Sequence, residues 1–399
     1  MPGPSFVVVD PCIRGIGGRY ASYARACRAA LALHGAPSRC WAHRQVDTAL
    51  ARSLSARPVF THDCWHTFNR TQGLRFVADP LLAVQDFLRD ASFARRTLDD
   101  EPVLFATTVD YRQLLAWAWW LRQSNAPACV VLMLRYSYAH HSGKGWVRAA
   151  AWVRLALRLL RQAPPGRVRL ATDSVRLAAE YRALGAESVS LLPIPHTSVE
   201  RSHAFVEDGP RRAVMLGDAR TEKGFTVLHD AIALLRKYGR VPDVEFVIQA
   251  NILSPVYSVL ADVRDRLRAL PGVLLMERAL SAEEYEALLA SADLVLLPYD
   301  GAVYRSRTSG PFAEALAAGI PVVCTADTWM SDQLKTFGAG ESFTSGDASS
   351  LALAIDRAVG RLPQLTAAAM QGRAAWVTFH SPENFARELL RVATAFTSP

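Results

Sequence analysis

Cysteine is scarce in this sequence, and long apolar runs are missing. The six cysteines among 399 residues include no pair at CxxC spacing, which excludes a disulfide scaffold and disfavours a zinc ribbon. No apolar run approaches the ~18 residues that a membrane-spanning helix needs. The first residues, MPGPSFVVVD, lack the basic start and the cleavage site of a signal peptide. We therefore expect a cytoplasmic protein.

Lysine is almost absent from the first half, where Lys144 is the only one before Lys223. Arginine supplies the positive charge instead. Residues 1–205 hold 26 Lys and Arg against 14 Asp and Glu, a net charge of +12 in a chain whose total is +8. A basic half attracts anions. Because no nucleic-acid-reading motif accompanies it, we expect an anionic glycan or a membrane surface rather than nucleic acid; the oligomeric state is left open.

Short apolar segments alternate with helical patterns along the chain. Strands are predicted at residues 6–10, 58–62, 103–107, 129–134 and 168–171, and again at 213–216, 244–249, 273–276, 294–298 and 321–324. Such alternation is typical of parallel sheets that helices cover on both faces. The sequence therefore predicts an α/β protein with two Rossmann-like domains.

The two sets of elements are separated by a stretch that is rich in Pro, Ser and charge. We assign residues 1–195 to an N-terminal domain, 196–210 to a linker and 211–380 to a C-terminal domain. Ser381 followed by Pro382 is a good helix start. The helix predicted over 381–399 is expected to pack back on the N-terminal domain.

The segment GDARTEKGF at 217–225 follows an apolar strand and opens a helix. Backbone N–H groups at a helix N-terminus bind phosphate, and Arg220 and Lys223 add full positive charges. The segment thus predicts either a phosphate site or a solvated loop with two surface cations.

A second segment, PYDGAVYRSRTSGPFAEALAAGIPVV at 298–323, also joins a buried strand to a helix. The helix is predicted to start at Ser309 and Gly310, where backbone N–H groups can face phosphate. Glu314 lies within its first turns and can accept hydrogen bonds from the vicinal hydroxyls of a ribose. The alternative is that Glu314 only interacts with the helix dipole.

These two segments, in this order, resemble glycosyltransferases of the GT-B fold, in particular the glycosyltransferase family 4-like group. The resemblance is strong over about residues 165–325 and only topological over 1–160. It implies two Rossmann-like domains whose parallel sheets face a central cleft. It further implies that the C-terminal domain holds a nucleotide-diphosphate sugar as co-substrate, with no other cofactor.

The resemblance also implies roles for single residues. Arg220 and Lys223 match the basic pair that neutralises the donor diphosphate, and Glu314 matches the carboxylate that holds the ribose. Ser309 and Gly310 match the loop whose N–H groups face phosphate and sugar. These five residues form the core of the predicted donor site. Glu314 is also counted among the predicted catalytic residues.

One departure from the family pattern concerns the donor sugar. Ser306 stands where the family usually has a glutamate that contacts sugar hydroxyls, and Tyr304, Arg305 or Arg307 can take over that contact. Residues 276–280, which end at Leu280, match the segment that edges the nucleobase. We assign Leu280, Tyr304 and Ser306 to donor binding.

The N-terminal half contributes candidates of its own. Gly17 and Gly18 follow the first strand and allow backbone to approach the diphosphate or the acceptor, or else form a tight turn. Arg135 ends the strand at 129–134 and is assigned to acceptor binding, with a plain surface arginine as the alternative. His62 is a candidate proton acceptor or sugar contact, and His66 a candidate acceptor contact; either can instead be structural.

Metal ligands and a membrane surface are the remaining questions. His62 and His66 lack a third ligand, and no DxD motif is present, so no metal site is predicted. The segment Trp146–Arg161 is amphipathic and carries arginines near one face together with Trp146 and Trp152. It either lies on an anionic membrane, on the inner face of which the protein would be peripheral, or packs on the sheet with a solvated basic face.

Together these observations predict a metal-independent glycosyltransferase of the hexosyl-transfer type, active in polysaccharide biosynthesis. It would move a sugar from a nucleotide-diphosphate sugar to a glycan, lipid-linked or protein acceptor. Two alternatives remain: a catalytically inactive GT-B binding module, which Ser306 favours, and a GT-B nucleotide-sugar epimerase.

Overall fold

The structure, a computed structural model, describes residues 4–15, 19–66, 72–96, 98, 100–123, 129–139, 146–195, 211–252 and 258–394. The chain divides into two compact units. Unit 1 contains Met1–His196 and His380–Pro399, and unit 2 contains Thr197–Phe379. The linker predicted at 196–210 lies outside the described residues.

Unit 1 is built on a seven-stranded parallel sheet with the order β3-β2-β1-β4-β5-β6-β7. Its strands are β1 (Phe6–Val9), β2 (Ser38–His43), β3 (Ala56–Phe60), β4 (Val103–Ala106), β5 (Cys129–Met133), β6 (Val168–Thr172) and β7 (Ser190–Leu191). Its helices are α1 (Arg19–Leu33), α2 (Thr48–Ser53), α3 (Gln72–Arg95), α4 (Tyr111–Trp120), α5 (Trp146–Arg161), α6 (Val175–Ala183) and, from the chain end, α15 (Pro382–Thr394).

Unit 2 is built on a six-stranded parallel sheet with the order β10-β9-β8-β11-β12-β13. Its strands are β8 (Arg211–Met215), β9 (Val244–Gln249), β10 (Val273–Met276), β11 (Leu294–Leu297), β12 (Val322–Thr325) and β13 (Gly340–Phe343). Its helices are α7 (Phe225–Lys237), α8 (Leu260–Arg268), α9 (Ala282–Ala290), α10 (Gly301–Tyr304), α11 (Gly310–Ala317), α12 (Trp329–Phe337), α13 (Ala348–Gly360) and α14 (Leu362–Phe379), and a 3-10 turn covers Thr221–Lys223.

The predicted α/β class with two parallel sheets is confirmed, and each predicted strand is present. Three strands were missed. Strand β2, with the sequence SRCWAH, contains no β-branched residue, and β13, with GESF, has no apolar run. Strand β7 has only two residues. These strands form through pairing with neighbours that are already in place, which local sequence does not report.

Helix α15 completes unit 1 although the chain reaches it only after unit 2. Its apolar face is buried in one core cluster with residues of β1, β4 and α1. Phe385 contacts Tyr23 of α1 edge to face, with ring centroids 6.4 Å apart. Just before the helix, His380 Nδ1 accepts a hydrogen bond from the backbone of Ile194 at 2.9 Å.

The parallel strands of each sheet end at one edge, which collects the loops that follow them. In unit 2 the strand order reverses between β8 and β11, which are neighbours. A ligand of an open α/β sheet binds at such a switch point. Both sequence segments that carry the donor motifs begin there.

Candidate functional site

The loop after β8 is ordered by a hydrogen bond and by close packing of its own residues. Gly217 has a φ of +93°, a conformation that favours glycine, and its N–H donates to Gln249 Oε1 at 2.7 Å. A Cβ on Gly217 would stand 2.1 Å from Lys223 Nζ. The lysine amine therefore packs directly over the glycine, and any larger residue would displace it.

Three cations come together around this loop. Burial, followed by the charges of Arg220 and Arg307, lowers the pKa of Lys223 to about 7, against an opposing effect of Asp218. Arg220 Nη2 lies 4.0 Å from Asp218 Oδ2, a weak ion pair. Two of the cations belong to the first sequence motif and Arg307 to the second. Concentrated positive charge of this kind is suited to a diphosphate.

The two motif loops are joined to each other. The backbone N–H of Asp300 donates to the carbonyl of Glu222 at 2.9 Å. A Cβ on Gly224, which has a φ of +75°, would stand 1.8 Å from the carbonyl oxygen of Pro298. The loops after β8 and β11 are therefore in backbone contact, so the groups they carry share one site.

Tyr304 and Ser306, both assigned to donor binding, lie beneath this surface. Tyr304 is 4% exposed, its ring is tilted against that of Tyr299 with centroids 4.4 Å apart, and the ring centroid lies 4.8 Å from the guanidinium carbon of Arg307. Ser306 is 7% exposed. Tyr304 therefore packs against Arg307 and supports its guanidinium. Tyr304, Arg305 and Arg307 were considered as substitutes for the missing glutamate, and Arg307 contributes positive charge near Lys223.

Helix α11 begins where the sequence motif places it. Ser309 is the N-cap and its Oγ accepts from the N–H of Phe312 at 3.4 Å. Glu314 lies one turn further in. Burial raises the pKa of Glu314, against a hydrogen bond from Tyr285 that lowers it. The Tyr285 hydroxyl donates to Glu314 Oε2 at 2.5 Å, and Gly310 lies on the side of Oε1.

Leu280 is half-buried in the loop that leads from β10 to α9. It directly precedes Ser281, the N-cap of α9, whose Oγ accepts from the N–H of Glu284 at 3.2 Å. Helix α9 also carries Tyr285, which contacts Glu314. This helix therefore connects the segment predicted to contact the base with the carboxylate predicted to bind the ribose.

In unit 1, His62 and His66 form a stacked pair after β3. Their ring centroids are 3.9 Å apart, and His62 Nδ1 lies 2.9 Å from Asp86 Oδ2. Asp86 is also paired with Arg89 at 2.5 Å. Burial and then the proximity of His62 lower the pKa of His66. Both histidines line a small pocket, together with Cys64, Asp110 and Arg112, among others.

Arg135 is tied into the interior of unit 1. Its side chain is 16% exposed, its Nε lies 3.4 Å from Asp173 Oδ2 and its guanidinium carbon lies 4.3 Å above the Tyr23 ring. These contacts give Arg135 a structural task besides the predicted acceptor contact. Gly17 and Gly18 lie outside the described residues.

Helix α5 exposes four arginines and no acidic residue. Its exposed arginines are Arg148, Arg154, Arg158 and Arg161. Val147 is 58% exposed and Leu155 39%. Trp152, one of the two tryptophans named as apolar residues of this helix, is half-buried and packs against the core of unit 1. Trp119 of the adjoining helix α4 is 50% exposed, whereas the side chain of Trp146 lies outside the described residues.

Sequence reasoning missed three residues that shape these sites: Gln249, Tyr285 and Asp86. Gln249 ends a strand at the same sheet edge as Gly217, a position that could have indicated it. Tyr285 and Asp86 lie within helices, where one polar residue among many carries no distinguishing signal. Among the described residues, no group of three His, Cys, Asp or Glu side chains is arranged to hold a metal ion, and no helix is both long and apolar enough to cross a membrane.

Comparisons with known proteins bear on unit 2 and on the whole fold. Residues 210–361 match the family model described as glycosyl transferases group 1. No curated protein matches the chain in sequence.

Several solved structures match along the full chain. Anabaena Alr3699/HepE in complex with UDP and glucose has a TM-score of 0.67 at 14% identity, covering 98% of this chain and 100% of that one. Sucrose-phosphate synthase from Thermosynechococcus elongatus has 0.69 at 14%, covering 99% of each chain. The lipopolysaccharide outer core galactosyltransferase WaaB in its apo form has 0.63 at 12%, covering 98% and 99%.

The region of the family match contains both donor motifs, and the solved structures extend the likeness to the fold of both units. The predicted resemblance is thereby confirmed: residues 210–361 match the glycosyl transferases group 1 model, and the chain has the fold of solved GT-B glycosyltransferases.

Proposed function

We propose that the protein transfers a sugar from a nucleotide-diphosphate sugar to an acceptor hydroxyl, and that unit 2 binds the donor. The observation that carries this proposal is the joining of two distant motifs at the β8–β11 edge. Arg220, Lys223 and Arg307 surround one loop, and Glu314 lies at the start of the helix that follows the other. A cation cluster beside a carboxylate matches a diphosphate joined to a ribose.

In this reaction the acceptor oxygen forms a bond to the anomeric carbon of the donor, and the bond from that carbon to the diphosphate breaks. The acceptor proton passes to a base, and the nucleoside diphosphate leaves with the bonding electrons. Negative charge therefore develops on the diphosphate, which preorganised cations and helix N-termini stabilise. We propose that Arg220, Lys223 and Arg307 do this without a divalent metal or other cofactor.

The relatives support a choice of first nucleotide. HepE has been solved with UDP, with UDP-glucose, and with UDP and glucose. UDP and UDP-glucose are therefore the first ligands to test. We expect Arg220→Ala and Lys223→Ala each to weaken UDP binding by about 1.5–3 kcal/mol, the scale of charge-assisted hydrogen bonds.

Isothermal titration calorimetry measures this effect, with Lys237→Ala as the matched control because Lys237 is an exposed lysine of the neighbouring helix α7. Unchanged UDP affinity in both site variants, with the fold intact, would contradict the proposed donor site.

Transfer activity should survive EDTA, which removes divalent metal ions. Activity that EDTA abolishes and Mg²⁺ or Mn²⁺ restores would contradict the metal-free role of the cations.

The role proposed for His62 is to accept the acceptor proton or to contact a sugar hydroxyl. Its Nδ1 faces Asp86, an arrangement that orients the ring and fixes its tautomer. If His62 is the base, Asp86→Asn should lower kcat more than it raises KM, because the ring loses the partner that orients it. A change in KM alone would assign His62 to sugar binding.

For the acceptor we propose an anionic glycan carried on a lipid, reached from the inner face of a membrane. The support is the net charge of +12 over residues 1–205 and the basic face of α5. WaaB is named a lipopolysaccharide outer core galactosyltransferase, and lipopolysaccharide is a glycan carried on a lipid. Each arginine near an anionic surface contributes about 1 kcal/mol, so four suffice for peripheral binding.

Sedimentation with liposomes tests the membrane contact. Wild-type protein should bind vesicles of anionic lipid at low salt and release them at high salt, because exposed charges are screened within ~8–10 Å. Changing Arg148, Arg154, Arg158 and Arg161 to Gln should abolish binding. The same charge change at Arg240, Arg266, Arg268 and Arg361 is the control. Absence of binding at low salt would dismiss the membrane.

A second candidate function is a catalytically inactive donor-binding module. Ser306 favours it, because the family's sugar-contacting glutamate is missing there. Slow hydrolysis of UDP-glucose, measured as released glucose, separates the two. Binding of UDP-glucose without hydrolysis or transfer would favour the binding module.

A further inference from the structure

Tyr285 and Glu314 lie on different helices, α9 and α11, and meet in a single hydrogen bond. The phenol donates to Glu314 Oε2 at 2.5 Å. Burial, and next the charge of Glu314, raise the pKa of Tyr285 well above its usual value. The tyrosine therefore stays protonated at any working pH and acts only as a donor toward the carboxylate.

This contact leaves the two carboxylate oxygens unequal. Oε2 is held by the phenol, and Oε1 lies 3.8 Å from where a Cβ on Gly310 would stand, toward the start of α11. Gly310 has no side chain to cover that oxygen. Oε1 is therefore the oxygen left for an incoming hydroxyl, beside the same helix start that is predicted to face the phosphates.

We propose that Tyr285 is a positioning residue for the donor ribose: it holds Glu314 by one oxygen and directs the other to the ribose hydroxyls. This inference rests on the proposed function, in which Glu314 binds ribose. A side chain that is already fixed in the free protein loses less conformational entropy when the ligand binds, so binding is stronger. The resemblance to glycosyltransferases assigns Tyr285 no role.

The hydrogen bond also decides the charge of the carboxylate. Burial raises the pKa of Glu314, and the bond from Tyr285 counters that rise. Without the phenol, burial and the charge of Glu286 act unopposed, and the pKa rises further, toward the range where the carboxyl becomes neutral. A neutral carboxyl accepts hydrogen bonds more weakly than a carboxylate. Tyr285 thus supports ribose binding through both orientation and charge.

Binding of UDP and of 2′,3′-dideoxy-UDP to Tyr285→Phe tests the inference. UDP affinity should fall about five- to tenfold, the effect of one hydrogen bond, while dideoxy-UDP affinity should hardly change. Glu314→Gln should lose most of the discrimination between the two nucleotides, and the double variant should resemble it. Tyr238→Phe is the control, since Tyr238 is 66% exposed.

A second measurement needs no nucleotide. In ligand-free protein with carbon-13 at the glutamate carboxyls, the NMR titration of Glu314 is identified by its loss in Glu314→Gln. Tyr285→Phe should move it to higher pH. Equal losses of UDP and dideoxy-UDP affinity, or an unmoved titration, would overturn the positioning role. If wild type binds no nucleotide, the proposed function fails, and the titration still decides whether Tyr285 holds Glu314.

Discussion

The pKa of Lys223, lowered to about 7, gives anion binding a pH window. Below pH 7 the amine is charged and attracts a diphosphate, and above it the unliganded protein must first take up a proton. UDP affinity should therefore fall as pH rises, by up to about tenfold per pH unit. Above pH 7.5 the nucleotide's terminal phosphate, with a pKa of about 6, no longer titrates.

Calorimetry from pH 7.5 to 9.5 checks this, because the slope should be present in wild type and absent in Lys223→Ala. Arg220→Ala should weaken binding yet keep a slope, displaced to higher pH, since the neighbouring charge that lowers the pKa of Lys223 is removed. Identical slopes in wild type and Lys223→Ala would show that another group titrates.

Gly217 prepares the position of that lysine. An added methyl would stand 2.1 Å from Nζ on a backbone with a φ of +93°, so Gly217→Ala must displace the Lys223 amine. We expect a tenfold or greater loss of UDP affinity, comparable to that of Lys223→Ala. Gly239→Ala is the matched control: its φ is +62° and nothing lies within 4 Å of the added methyl. That variant should lose some stability and no UDP affinity.

Helix α11, which carries Glu314, is anchored from behind by α14. Trp376 is fully buried, donates from Nε1 to the carbonyl of Ala313 at 3.0 Å and packs edge to face against Phe337 at 4.9 Å. Trp376→Phe should lower the free energy of unfolding by about 1–3 kcal/mol, from a lost hydrogen bond and lost volume. Trp119→Phe, half-exposed on α4, should change it by less than about 0.5 kcal/mol. Urea denaturation measures both, and equal effects would contradict the anchoring role.

The elements show which parts of the molecule local sequence can predict. The loop after β8 and the start of α11 were predicted because a strand, a turn and a cap follow each other within a few residues. Strand β2 was not, since Cys40 and Trp41 become a strand only by pairing with β1. The role of Tyr285 was not predicted either, because it depends on a contact with Glu314, which lies on another helix. Contacts between elements are invisible to patterns within one element.

The molecule as a whole has an uneven charge and an interleaved chain. Its basic residues concentrate in the part that forms unit 1, and the two segments proposed to bind the donor lie in unit 2. The chain leaves unit 1, forms unit 2 and returns as α15. A C-terminal truncation therefore does not simply shorten the protein but removes part of the core of unit 1.

Leu389 lies at the centre of that returning helix and is fully buried in the core cluster that includes β1. Leu389→Ala should lower the free energy of unfolding of unit 1 by about 2–5 kcal/mol, the range for truncation of a buried leucine. Hydrogen exchange followed by mass spectrometry should show the loss in peptides of β1, β4 and β5, with those of β8, β11 and β12 unchanged. Arg387→Ala, on the exposed face of α15, is the control and should leave both sets protected. Equal loss of protection in the two sets would contradict the assignment of α15 to unit 1, because the helix would then stabilise both units alike.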